Sequence, residues 1–151
     1  MYNGSILAPQ YNINPKSYTA MSKNLIVPAE ILRSFKKVFP KIETSLVSWS
    51  WEVPHKIYEA SFEQQGISYE VEITVTGHHL LTEIYIPVPA LPDGILPHIK
   101  EAFPNDEVVA VERITYSNGD VHYEVELNGP DGERELLVRE DGLILASGDD
   151  L

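Results

Sequence analysis

Apolar residues in this chain keep two different periods, and proline, glycine and asparagine mark where one gives way to the other. Ile31, Leu32, Phe35, Val38 and Phe39 fall at i, i+1, i+4, i+7 and i+8, the stripe of an amphipathic helix, with Glu30, Arg33, Lys36 and Lys37 around the rest of its surface. Pro28 suits the first helical position, where a missing N–H costs nothing, and Pro40 ends the pattern. Beyond it apolar and polar residues alternate, which predicts strands over about 43–53, 57–64, 67–76 and 79–86, joined as antiparallel hairpins. The helical stripe returns as Ile95, Leu96, Ile99, Ala102 and Phe103, and alternation resumes over 107–116, 121–128, 133–140 and 143–147. Pro97 falls inside the second stripe, so that helix is expected to start late, near Asp93 to Ile95, and to be the shorter of the two.

The two passages share more than rhythm. Pro28, Ile31, Leu32, Lys36, Phe39 and Pro40 recur 64 residues later as Pro92, Ile95, Leu96, Lys100, Phe103 and Pro104. Tyr58-Glu59 then matches Tyr123-Glu124, and Gly77 matches Gly142, one residue further along. An internal echo of this kind points to two copies of one supersecondary unit. The expected fold class is α+β, with two tandem helix-plus-antiparallel-sheet repeats and the helices packed on one face of the sheet. The expected division is an irregular arm over 1–26, a first repeat over 27–88 and a second over 89–151, forming one compact unit. In the arm Tyr2, Tyr11 and Tyr18 lie among prolines without periodic order, and Met21 offers an alternative start.

Composition removes several kinds of chemistry. Without cysteine there is no thiol nucleophile, thiolate zinc site or disulfide. No stretch approaches the roughly 20 apolar residues of a membrane span, and residues 1–26 carry neither a basic start nor an apolar run of the kind that exports a chain. The net charge of −12 argues against direct binding of nucleic acid. The charge is also unevenly placed: residues 1–90 hold 8 acidic and 7 basic side chains, residues 91–151 hold 15 and 4. Such asymmetry suggests either a solvated acidic face or a surface for a basic partner.

Short motifs add a resemblance. Phe39-Pro40, Trp49, Tyr58-Glu59-Ala60, Tyr69-Glu70-Val71-Glu72 and Gly77-His78-His79-Leu80-Leu81 resemble the pattern of the PepSY-like, beta-lactamase-inhibitor-like family. Phe103-Pro104, Tyr123-Glu124-Val125-Glu126-Leu127 and Glu140-Asp141-Gly142-Leu143-Ile144-Leu145 resemble it more closely. The resemblance covers about residues 27–147 and implies tandem units in one curved sheet with helices on one side, a non-catalytic binder or inhibitor, and a periplasmic or extracellular location. The chain departs from the family where Thr76-Gly77 replaces Asp-Gly, and in showing no signal peptide.

Strand alternation assigns the faces. Tyr69, Val71, Ile73 and Val75 are expected toward the core, with Glu70, Glu72 and Thr74 turned away. Tyr123, Val125 and Leu127 are expected inside, with Glu124 and Glu126 outside. Val47, Trp49, Trp51 and Val53 share one face, and Ser48, Ser50 and Glu52 the other. Glu70, Glu72, Glu112, Glu124 and Glu126 are therefore the candidate partner-binding carboxylates, on a face an antiparallel sheet can leave in water. Trp51, Tyr58 and Tyr85 join them as candidate aromatic anchors, for protein binding rests mainly on such groups. Histidines 55, 78, 79, 98 and 122 have no ligand spacing, and Asp131, Glu133, Glu140, Asp141, Asp149 and Asp150 lack the loop order of a calcium site, so no metal or cofactor is expected. No phosphate loop or nucleophile elbow is present. The expected function is that of a non-catalytic protein-binding module, an inhibitor included, using the open sheet face or a groove between repeats, without nucleic acid or membrane as partner. The alternatives are a small-molecule or calcium sensor and an acidic nucleic-acid mimic that blocks a basic protein.

Overall fold

The computed structural model describes residues 25–148, so all but the end of the expected arm lies outside the described residues. It is an α+β structure of two helices and eight strands, the strands forming an open antiparallel sheet in chain order from β1 to β8. The chain divides into two compact units, the first made of 25–84 with Thr115–Asp120, the second of Tyr85–Ile114 with 121–148.

In the first unit α1 spans Ala29–Val38. Pro28 precedes it with ψ 147° instead of occupying the first helical position, and its carbonyl accepts from the Ile31 and Leu32 N–H groups at 3.0 and 3.2 Å. At the other end Phe39 leaves the helical region at φ −121°, ψ 69°, as a residue before proline must. Lys36 Nζ reaches the carbonyls of Pro40 and Ile42, each at 2.8 Å, and places a cation at the helix C-terminus. Ile31 and Phe35 are completely buried. The Phe35 ring meets Trp49 and Phe62 edge-on at 5.6 and 5.5 Å, and Phe39, Phe62 and Tyr69 close the cluster.

The strands of this unit are β1 (Ser48–Val53), β2 (Ile57–Gln64), β3 (Ile67–Thr74) and β4 (His79–Tyr85) up to Ile84. β1 starts five residues later than expected because Thr44–Leu46 coil into a 3-10 turn. β2 and β3 pair without a break from Ile57↔Thr74 to Gln64↔Ile67. The two residues between them, Gln65 and Gly66, both have positive φ, 54° and 75°, which matches a tight hairpin turn to the twist of the strands. Val71 and Ile73 are buried as expected, but Val75 is not: it sits past the end of β3 and is 38% exposed. Val53 also departs from expectation. A bulge at Glu52 breaks the alternation, so Trp51 pairs with Tyr58 while Val53 pairs with Ile57.

The second unit contains α2 (Ile95–Ala102), β5 (Glu107–Tyr116) up to Ile114, β6 (Val121–Gly129), β7 (Gly132–Arg139) and β8 (Ile144–Gly148). α2 has 8 residues against the 10 of α1, with Pro97 third in line, where its ring meets no preceding turn. Ile95 and Ile99 are buried against Val111, Tyr123, Val125, Leu127, Leu136 and Val138. Phe103 takes φ −130°, ψ 69° before Pro104. Arg134 lies over the Phe103 ring at 5.1 Å and pairs with Asp106 at 3.0 Å. The Asp106 carboxylate in turn packs where a side chain at Gly129 would project.

Each unit also seats a hairpin glycine on its helix. Gly77 (φ 86°) approaches Ser34 of α1, and Gly142 (φ 92°) approaches His98 of α2, whose Nδ1 lies 3.3 Å from the Gly142 carbonyl. A Cβ at 142 would stand 2.5 Å from that nitrogen. We therefore expect Gly142→Ala to destabilise the fold by about 1–3 kcal/mol from backbone strain and contact together. In urea denaturation His98→Ala should recover the contact share and leave the strain. Phe35→Ala should cost about 3–5 kcal/mol, as large aromatic deletions in cores do.

Candidate functional site

The candidate surface is, in each unit, the sheet face turned away from that unit's helix. It follows from the pleat: once Tyr58, Ala60 and Phe62 of β2 and Val71 and Ile73 of β3 are committed to the core, their neighbours must point the other way. In the first unit that face carries Ser48 and Ser50 from β1, Glu59 and Ser61 from β2, Glu70 and Glu72 from β3 and Glu83 from β4. The register sets Glu59 opposite Glu72, and Glu70 opposite Glu83. Like charges directly opposed across strands weaken their pairing.

One corner of this face is built in detail. Glu59 Oε1 accepts hydrogen bonds from the Ser50 and Ser61 hydroxyls at 3.0 and 3.3 Å. Glu52, turned to the same face as Ser50, neighbours Glu59. Burial pushes the Glu52 carboxyl up to about 7, and the charge of Glu59 and a hydrogen bond to it act in the same direction. A carboxyl group in this state donates a hydrogen bond where a carboxylate could only accept.

In the second unit Glu112 of β5, Glu124 and Glu126 of β6, and Glu135 of β7 are half-buried. Glu126 stands opposite Glu135, and Glu124 opposite Leu137. This face is not wholly open. Ile114 and Leu137, at 3% and 4% exposure, lie outside the core under α2 and alternate with the residues that enter it. Arg139 binds Asp141 through two hydrogen bonds, the Nε one at 2.8 Å, and holds its carboxyl down to about 2. On the helix side of β4, burial lowers the pKa of His79, whose Nε2 is 3.0 Å from the Thr82 hydroxyl.

Glu70 and Glu72 stand within the first unit, and Glu112, Glu124 and Glu126 within the second. The aromatic candidates separate. Tyr58 is 6% exposed and belongs to the core, edge-on to Trp49 at 6.4 Å, so it is not an anchor on the surface. It sits two residues before Ala60 and four before Phe62 on the apolar side of β2, and that parity decides its place. Trp51 is half-buried, stacked on Tyr58 at 4.2 Å and tilted against His55 at 5.3 Å. Tyr85, at 49%, is exposed. The sequence reading missed the Ser50–Glu59–Ser61 set and the role of Glu52. Their signal is present in Ser48, Ser50 and Glu52 at alternate positions of β1 and Glu59 and Ser61 at alternate positions of β2, but only the register joins them.

A family model described as "Putative beta-lactamase-inhibitor-like, PepSY-like" matches residues 56–146. Among solved structures, a DUF2874 family protein from Bacteroides uniformis ATCC 8492 superposes with a TM-score of 0.72 at 16% identity, over 82% of this chain and 89% of its own. A BLIP-like protein from Bacteroides fragilis NCTC 9343 gives 0.68 at 20% identity, over 85% and 90%. A structure from Bacteroides eggerthii DSM 20697, described as of putative periplasmic proteins, gives 0.71 at 16%, over 82% and 89%. These likenesses show the fold. No curated protein matches the sequence. No helix among the described residues is long and apolar enough to cross a membrane.

The placement of the aromatics has a direct consequence for stability. Tyr58→Ala should cost about 3–5 kcal/mol and Tyr85→Ala less than about 1 kcal/mol in chemical denaturation. Equal losses would contradict the assignment of one ring to the core and the other to the surface.

Proposed function

As the chain belongs to the PepSY-like, beta-lactamase-inhibitor-like family, we propose that it is a non-catalytic protein-binding module, of the inhibitor kind, and that it meets its partner with the helix-free sheet face. The observation that carries this reading is the row of carboxylates on that face, Glu70 and Glu72 in the first unit and Glu112, Glu124 and Glu126 in the second, with Tyr85 exposed on β4. A surface of this chemistry suits a partner with a basic patch: the −12 charge steers encounter, and carboxylates meeting Lys or Arg fix register. The face is polar enough to remain hydrated when free. The family description names inhibitor-like proteins and no enzyme, which agrees with a binding role.

Two finer readings accompany it. The chain is a tandem duplication, in the division 27–88 and 89–151, supported by features that repeat at one offset. The β3–β4 pairing shifts between Glu72 and Ile73 and the β7–β8 pairing between Leu137 and Val138, 65 residues on. The protein works in the periplasm, supported by the description of the eggerthii relative.

The test is capture on immobilised protein from a periplasmic extract of the source bacterium, with the retained protein identified by mass spectrometry and assayed for inhibition. We expect a basic-surfaced partner, released as salt rises from 0.05 to 0.5 M on the order of the Debye length falling below 10 Å. The double reversal Glu124→Lys/Glu126→Lys should weaken its capture at least tenfold while the circular dichroism of the variant stays native. Unchanged capture would remove the site from this face.

A further inference from the structure

We propose that the chain covers part of its own acidic surface: residues 1–24 lie across the helix-free face of the second unit, with the run Ile6-Leu7-Ala8 seated over Leu137 and Ile114. The cover belongs to the free protein. Only its consequence rests on the docking reading above, namely that Glu124 and Glu126 meet another molecule where this segment has moved aside.

The face itself calls for a cover. Leu137 and Ile114 are 4% and 3% exposed, yet neither belongs to the core under α2. Strand parity turns them the other way, since Leu136 and Val138 enter that core on either side of Leu137, and Ile114 stands three residues beyond the buried Val111. The neighbours of Leu137 on its own face are Glu124 and Ala146 across the ladders and Glu135 and Arg139 along β7. Ala146 is too short to roof it, the two carboxylates favour water, and the Arg139 guanidinium is turned to Asp141. None of these is an apolar lid. His122, two residues before Glu124 on the same face, has its Nδ1 shut off from solvent as well. Three such points on a face that alternation leaves to water place the cover outside the sheet.

The first 24 residues have the chemistry to be that cover. All 23 acidic side chains of the chain come after them, while the segment carries Lys16 and Lys23, so it is drawn to a surface bearing Glu112, Glu124 and Glu126. Its longest apolar run is Ile6-Leu7-Ala8, with Tyr2 and Tyr11 on either side. A tyrosine ring spreads over apolar surface while its hydroxyl donates to a carboxylate at the rim. Reach is not limiting. The chain from Ala8 to Asn24 extends up to about 55 Å, about twice the length of the 8 residues of β7. The same face of a second copy is a poor occupant, because residues 91–151 hold 15 acidic side chains against 4 basic ones and two such surfaces repel.

The test places a paramagnetic label in the segment and reads which methyl groups it approaches. The chain has no cysteine, so Ser5→Cys carries a single nitroxide beside the apolar run. The full chain, labelled with 13C at the Ile, Leu and Val methyls, is compared with the nitroxide oxidised and reduced. We expect Leu137 and Ile114 to broaden at least about threefold more than Ile99, which α2 holds on the other side of the same sheet, on the order of 10 Å away. Adding Ile6→Asp and Leu7→Asp should abolish that difference while the circular dichroism stays native. Equal broadening of Leu137 and Ile99, or a difference that survives both aspartates, would overturn the assignment. So would the same broadening in a mixture of spin-labelled chains with isotope-labelled chains that lack the nitroxide, which would give the cover to a neighbouring copy. No partner enters the measurement, so its failure leaves the docking reading standing, and failed capture leaves the cover in place.

Discussion

Two helical side chains per unit, Ile31 with Phe35 and Ile95 with Ile99, pressed onto a pleated surface, are the contact from which the rest of the molecule follows. A helix can bury only the stripe it presents, and here that stripe is narrow enough to demand apolar partners at every second strand position. Val71 and Ile73 of β3, Tyr123, Val125 and Leu127 of β6, and Leu136 and Val138 of β7 meet the demand. Because the side-chain period of a strand is two, this commitment also disposes of the residues between them. Glu70, Glu72, Glu124 and Glu126 do not face away from the helices through any attraction of their own. They are placed there by their neighbours, and the chemistry of the outer face is the complement of the core.

Within that common plan the helix ends are secured by different means. In both units a phenylalanine precedes proline and leaves the helical region with ψ 69°. Phe39 then stands against Phe62 at 5.1 Å and Tyr69 at 6.1 Å in an all-aromatic cluster. Phe103 instead receives the Arg134 guanidinium, whose charge is met by Asp106. A partly buried ion pair recovers its desolvation only when geometry and further contacts are good, so this solution constrains its surroundings more tightly than the aromatic one. Gly129, which leaves room for the Asp106 carboxylate, is part of that constraint.

Periodicity made most of the architecture legible. All eight strands and both helices are found in the segments that alternation and the helical stripe mark, β1 and β3 shorter than expected, and the late start of the second helix follows from Pro97. What escaped is what depends on register. A bulge adds one residue and reverses the faces beyond it, so Val53 could not be assigned from alternation alone. Val75 failed for a simpler reason, since the strand ends one residue before it. Tyr58 has the side chain of a surface anchor, but its parity with Ala60 and Phe62 turns it inward. Ile114 and Leu137 are buried on a face that alternation alone would leave to water, and nothing in the local pattern signals it.

The acidic groups show why position outweighs composition in reading this surface. Asp141 and Glu52 are both carboxyls on hairpin-forming segments, yet they depart from their ordinary values in opposite directions. Asp141 is exposed and held by a guanidinium at two points, so its charged form is favoured down to about 2. Glu52 is drawn under cover beside another carboxyl, so its charged form is disfavoured up to about 7. A count of acidic residues treats them as equal contributors to the −12 of the chain. They are not equal: one is a charge met by Arg139, the other a carboxyl whose charged form burial and the neighbouring Glu59 disfavour. The charge that a partner would meet on the first unit is therefore set by the hydrogen bonds and cover around each carboxyl.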